Sequence, residues 1–183
     1  MDLDIANLIK PDSYLPTVYD INYPKLYENG IRYAVFDVDC TILPFDDINV
    51  TKDNIILFNY LRMLGLKSGL CSSGSKSRVE PVAFKLDVNF IASAPKPFVD
   101  FDRIKSMFDS RCEPFNTIMI GDSLFLDMLL AGKNEMHKIL VDMIRDNVNF
   151  SVRVNDVIQS IMYASLKPHG FQYKKYYRGN IER

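Results

Sequence analysis

The sequence predicts an α/β domain, built on a mostly parallel sheet with helices on both faces. Two observations carry that prediction. Short apolar runs alternate with stretches of helical periodicity along most of the 183 residues, and nearly every apolar run ends in polar or acidic residues. The length suits one domain with a continuous core. Its expected parts are a leader over 1–30, a catalytic core over 31–166 and a basic-aromatic tail over 167–183.

The elements follow in order. "RYAVFDV" (32–38), "KSGLCS" (67–72), "VNFIAS" (88–93), "TIMIGD" (117–122) and "KILVDM" (138–143) read as buried strands. Thr51 is a helix N-cap for "KDNIILFNYLRMLG", with Ile55, Ile56, Phe58, Leu61 and Leu64 as its apolar residues and Gly65 as its stop. Further helices are expected over 76–86, 98–110, 124–132 and 152–165.

Composition narrows the classes of function. The chain is 48% hydrophobic and 25% charged, an ordinary globular balance. A formal net charge of −1 gives no global pull toward nucleic acid or an anionic membrane, so no nucleic-acid partner is expected. Three cysteines without a C-x-x-C pair, beside only two histidines, argue against a disulfide framework or zinc site and for a reducing, cytoplasmic setting. "MDLDIANLIK" lacks the apolar stretch of a signal peptide, and no window is long enough to span a bilayer. The expected location is cytoplasmic, with peripheral membrane contact left open.

In parallel sheets ligands collect beyond the carboxyl ends of the strands, and here each end carries something polar. The first strand ends in Asp37 and Asp39, two residues apart and able to point to one side. The second ends in Ser72-Ser73-Gly74-Ser75, a small hydroxyl-rich turn that can approach an anion. Lys96 follows the third between Pro95 and Pro97, and the fourth ends in Gly121-Asp122-Ser123 with Asp127 a turn later. Crowded carboxylates need a cation, and oxygen ligands with few histidines favour Mg²⁺. A metal-bound phosphate leaves oxygens for Lys96 and a serine hydroxyl to neutralise. One aspartate can attack phosphorus while the other handles the leaving-group proton.

Each residue also has a plainer reading. A lone D-x-D is usually a solvated turn, and a lone lysine a surface one. Ser73 or Ser75 could replace Ser72 as the phosphate ligand. Arg78 either reaches a substrate phosphate or faces solvent from its helix. Cys71 and Cys112 read as packing residues, and His137 and His169 as structural.

"DVDCT", "SS", "PKP" and "GDSLFLD" resemble, in order, the four motifs of the haloacid dehalogenase (HAD) phosphatase superfamily. The leader "LIKPDSYLPTVYDINYPKLYENGI" and the tail "LKPHGFQYKKYY" are similar to its YqeG-like branch, which includes the mitochondrial-type phosphatidylglycerophosphate phosphatases. The resemblance implies a HAD-like Rossmannoid fold with a five-stranded sheet in the order 5-4-1-2-3. It implies Asp37 as nucleophile, Asp39 as general acid and base, Ser72 and Lys96 as phosphoryl ligands, and Thr41, grouped with them, as a support of the loop or of Asp39. Mg²⁺ would be held by Asp37, the Asp39 carbonyl and Asp122, with Asp127 supporting. Cys40 departs from the pattern, standing where the branch usually has Asn and much of the superfamily Gly. Cysteine tolerates a left-handed turn less well than either, and an exposed thiol is open to oxidation, so Cys40 is the first place to look for strain or oxidation.

The spacings from Asp39 to Ser72 and from Ser72 to Lys96 leave room for one helix and one strand each, so no cap domain is expected. An uncapped site favours a large substrate, such as a lipid headgroup, or a lid supplied by oligomerisation. The tail mixes Lys167, Lys174, Lys175, Arg178 and Arg183 with Phe171, Tyr173, Tyr176 and Tyr177, which suits a membrane interface. RNA stacking, a protein interface or plain packing suits it as well. The leading reading is a Mg²⁺-dependent phosphomonoesterase acting on phosphatidylglycerophosphate. A phosphatase for a soluble metabolite, protein or nucleic acid, and a non-catalytic scaffold or ribosome-associated partner, stand beside it.

Overall fold

The computed structural model describes residues 5–45, 47–144 and 159–183. Six strands form one sheet: β1 (Ser13–Leu15), β2 (Tyr33–Phe36), β3 (Lys67–Cys71), β4 (Asn89–Ile91), β5 (Thr117–Gly121) and β6 (His137–Val141). Their order is β1-β6-β5-β2-β3-β4, and every neighbouring pair is parallel. The five expected strands keep the expected relative order. The correction is a sixth strand, β1, which the leader adds outside β6.

Strand residues alternate between two apolar layers, as the pleat requires. Ala34, Phe36, Leu70, Ile118 and Ile120 join one core with Leu57, Phe58 and Leu61 of α3 (Lys52–Leu64) and Val79, Val82 and Leu86 of α4 (Lys76–Leu86). Val35, Cys71, Ile91 and Met119 face the other way, toward Ile104 of α5 (Phe101–Lys105) and Leu130 of α6 (Leu129–Lys133). Each fully buried large side chain contributes about 2 kcal/mol. The two layers hold β2 rigidly, and with it the aspartates that follow.

Helix ends obey local chemistry. Thr51 accepts from the Asn54 N–H at 3.1 Å while the Asn54 side chain accepts from the Thr51 N–H at 3.0 Å, and Gly65 closes α3 at φ 86°. The expected helix over 98–110 shortens to α5, because Asp100 caps it by accepting from the Arg103 N–H at 2.9 Å. The stretch 124–132 divides into a π-helical turn, Leu124–Met128, and then α6. Of the helix expected over 152–165, residues 152–158 lie outside the described residues, and 159–166 are helical.

A third core joins leader and tail: Ile9 of α1 (Ile5–Ile9), Tyr14, Leu124, Met128, Leu140, Leu166 and Phe171. Tyr14 and Tyr177 exchange backbone hydrogen bonds at 2.9 Å in each direction, so the tail pairs antiparallel with β1. Much of the expected aromatic-basic surface is therefore spent on packing. Phe171 is buried, Lys174 pairs with Asp142, and Arg178 pairs with Glu182, while Tyr173, Lys175 and Tyr176 stay exposed. Among the described residues only loop, α3 and β3 separate Asp39 from Ser72, and no helix is long and apolar enough to cross a membrane.

Candidate active site

β2 ends at Phe36, and the backbone N–H of Asp37 still donates to Ile120 of β5 at 3.0 Å, carrying the nucleophile candidate just past the sheet. The chain then reverses at Cys40, whose φ of 62° is left-handed. That conformation costs a non-glycine residue about 1 kcal/mol. The Cys40 N–H donates to Leu43 at 2.7 Å, and its carbonyl accepts from Ile144 at 2.8 Å. Strain thus falls where the departure from Asn or Gly placed it. The thiol is buried, and that burial, with Asp122, Asp39 and Asp37 nearby, pushes its pKa well above the usual range. A buried thiol held protonated lacks the exposure that oxidation needs.

Asp37, Lys96, Asp122 and Asp127 meet at the carboxyl edge of β2 and β5. Lys96 Nζ lies 2.9 Å from Asp37 Oδ1 and 2.7 Å from Asp127 Oδ1, with its side chain only 1% exposed. Asp127 Oδ2 accepts from the Ser123 N–H at 3.1 Å. The wide turn after β5 aims Asp127 inward, as such turns often do at functional sites. It can do so because residue 121 is glycine: a Cβ there would lie 2.3 Å from the Asp127 carboxyl. Thr41 donates to Asp122 Oδ1 at 2.9 Å, so it braces the far acid.

Asp39 stands on the rim. One carboxylate oxygen is 3.4 Å from Ser72 Oγ, and the other is ion-paired with Arg78. Ser72 is buried at the end of β3, and its Oγ accepts from the Gly74 N–H at 3.0 Å. Ser73 and Ser75 are exposed, which leaves Ser72 as the hydroxyl of that turn facing the acids.

The charges do not balance. Carboxylate oxygens of Asp37, Asp122 and Asp127 lie within 4.8 Å of one another, all buried, against the one ammonium of Lys96 among the described residues. Burial raises the pKa of Asp37 to about 7, with Lys96 pulling it down and Asp127 and Asp39 pushing it up. Burial also raises Asp122, together with Asp127 and Asp37. Burial alone would lower Lys96, but Asp127 and Asp37 outweigh it and hold the ammonium charged. An oxygen-only set with surplus negative charge fits a hard divalent cation.

Gln159 has no place in the motif pattern, yet it is buried beside the site. Its Nε2 donates to the Asp122 carbonyl at 2.7 Å and its Oε1 accepts from the Leu124 N–H at 2.8 Å, bracing the turn that carries both acids. His137 contacts Phe115 and Asp12 away from the site, and Cys71 and Cys112 are buried in apolar layers or beside Thr117.

The chain is 28% identical to "Probable phosphatase YqeG" of Bacillus subtilis over 161 residues, covering 87% of this chain and 92% of that protein. No family model matches. An uncharacterized protein from Listeria monocytogenes serotype 4b shares the fold at a TM-score of 0.50 and 15% identity, over 65% of this chain and 85% of that one. The cobalt-bound deoxy-D-mannose-octulosonate 8-phosphate phosphatase of Haemophilus influenzae aligns at a TM-score of 0.47 and 17% identity, over 80% and 92%.

Proposed function

We propose that this chain, a YqeG-like member of the HAD phosphatase superfamily, hydrolyses a phosphomonoester through an aspartyl-phosphate on Asp37. The observation that carries the reading is Lys96, buried between Asp37 and Asp127 with Asp122 alongside. That arrangement offers a nucleophile, a fixed positive charge for phosphoryl oxygens and surplus carboxylates for a cation. Asp37, the Asp39 carbonyl and Asp122 would hold Mg²⁺, which when bound neutralises developing charge and favours the ionised Asp37. Asp127, with one oxygen on Lys96 and the other on the Ser123 N–H, fits an orienting role.

Asp37 attacks phosphorus, and the bond to the leaving oxygen breaks as Asp39 donates its proton to that oxygen. Asp39 then takes a proton from water, whose oxygen attacks phosphorus. The bond to Asp37 breaks and phosphate leaves. Lys96 and the Ser72 hydroxyl balance the phosphoryl oxygens in both halves.

Phosphatidylglycerophosphate is the proposed substrate. An edge without a cap among the described residues supports a large substrate. The test is phosphate release from phosphatidylglycerophosphate vesicles and soluble phosphomonoesters, with Mg²⁺ or chelator. Asp37→Asn is expected to lose roughly a thousandfold or more in kcat. Turnover surviving Asp37→Asn would refute the mechanism. Activity on soluble esters alone would remove the lipid, and silence on every substrate from folded protein would favour a scaffold.

A further inference from the structure

We propose that Arg78 is a phosphoryl-binding residue, and that Asp39 occupies its guanidinium until a phosphate group takes the place of the carboxylate. The inference rests on the phosphatase reading above and names a ligand that its motifs leave out. Arg78 lies in the first turn of α4, just after the Ser72 turn. Its side chain is 10% exposed; Nη2 is ion-paired with Asp39 Oδ1, and Nη1 donates to the Asp47 carbonyl at 2.9 Å. The other Asp39 oxygen is the one 3.4 Å from Ser72 Oγ. One carboxylate therefore bridges the guanidinium and the hydroxyl that faces the site.

That bridge has the shape of a ligand. A phosphoryl group, like a carboxylate, presents a pair of oxygens, so it can set one against Arg78 Nη2 and the other against the Ser72 hydroxyl as Asp39 does. A group entering above Asp37, between Ser72 and Lys96, would meet the ground that Asp39 now spans. The bond to the Asp47 carbonyl can hold one arm of the guanidinium in place while the other changes partner. Exchange of this kind frees Asp39 from its ion pair as the substrate arrives, without moving the backbone of β2 or α4. A purely structural Arg78, tying the loop at Asp47 to α4, would leave Asp39 and the incoming anion uncoupled.

The coupling is measurable with inorganic phosphate. Calorimetric titration in Mg²⁺ of wild type, Arg78→Gln, Asp39→Asn and the double variant closes a thermodynamic cycle. Arg78→Gln should weaken phosphate by about tenfold, and Arg78→Lys, which keeps the charge without the fork, by about threefold. Asp39→Asn should tighten phosphate, and that gain should shrink or vanish when Arg78 is also replaced. Phosphate binding unchanged in Arg78→Gln, or a gain from Asp39→Asn that is equal with and without Arg78, would overturn the inference. If Arg78→Gln fails to fold, the same cycle run with Arg78→Lys decides it. Lys96→Met separates the two levels: loss of phosphate binding there with none in Arg78→Gln refutes Arg78 alone. Equal binding by wild type and Lys96→Met refutes the underlying reading, and the inference with it.

Discussion

At the amino-terminal edge of the sheet Lys67 pairs with Asp109, whose carboxylate also accepts from Tyr33 Oη at 2.8 Å and from the Arg111 N–H at 2.9 Å. At the carboxyl-terminal edge Lys96 pairs with Asp37 and Asp127. The residue types are the same and the two edges share β2 and β3, yet the electrostatics run in opposite directions. The amino edge is open to solvent and gives its one acid more donors than it needs; the Lys67 hydrogen bond, then Tyr33 and Arg111, hold Asp109 well below the usual carboxylate range. The carboxyl edge is buried and gives three acids one ammonium, and burial drives Asp37 upward. The exposed acid is satisfied by its neighbours, whereas among the described residues the buried acids outnumber the cation beside them, as the proposed metal-binding role requires.

Breaking the buried edge should have the largest effect. Lys96→Met removes the ammonium that pairs with Asp37 and Asp127, and losing one partner of a buried pair costs about 3 kcal/mol. Urea unfolding in chelator would show that loss, and turnover should vanish. Mg²⁺ should restore part of the lost stability, by mass action on the folded state. A Lys96→Met protein as stable as wild type in chelator would mean that the acids are not frustrated.

Gly121→Ala sharpens the contrast without touching a charge. Its Cβ would push the Asp127 carboxyl from 2.3 Å, and so loosen Lys96. A displacement near 1 Å at such a site costs about a hundredfold in kcat. Full activity in Gly121→Ala would separate Asp127 from the chemistry.

Asp109→Asn should have the smallest effect, and one that disappears in acid. A carboxylate whose folded pKa is lowered adds stability above its unfolded pKa of about 4 and loses it as pH falls through the folded value. Asp109→Asn should therefore show a small deficit near neutrality that shrinks as pH falls, flattening the acid limb of a stability–pH curve, and that deficit should fade in high salt. A deficit of equal size at neutral and acid pH would argue for packing instead.

How much of this could be read in the sequence follows from where each interaction closes. The five core strands are legible because burial on both faces makes each a continuous apolar run. β1 is not: three residues between Pro11 and Pro16 show no period, and its pairing is decided by β6 and Tyr177, more than a hundred residues away. Asp37, Lys96 and Asp122 are visible because they stand where strands stop. Gln159 is invisible, since a glutamine on a helix acquires its role only when tertiary packing lays it against the Asp122 carbonyl. Arg78 was visible as a residue but not as a partner of Asp39, because that pairing joins the loop after β2 to the first turn of α4 across the sheet edge. The hydroxyl of Thr41 reaches Asp122 across a fold that no local spacing encodes.

The antiparallel bridge between Tyr14 and Tyr177 also has a colloidal consequence. β1 is the border of the sheet, and an uncovered border offers its backbone N–H and C=O groups to any neighbouring chain. Tyr177 takes both of those at Tyr14, with its hydroxyl fastened to the Pro11 carbonyl at 2.7 Å. Cutting the chain after Leu166 would unzip that seam, bare the aromatic face of Tyr14 and present a sticky strand to the next molecule. A truncated protein that sediments with vesicles could therefore be sedimenting with itself.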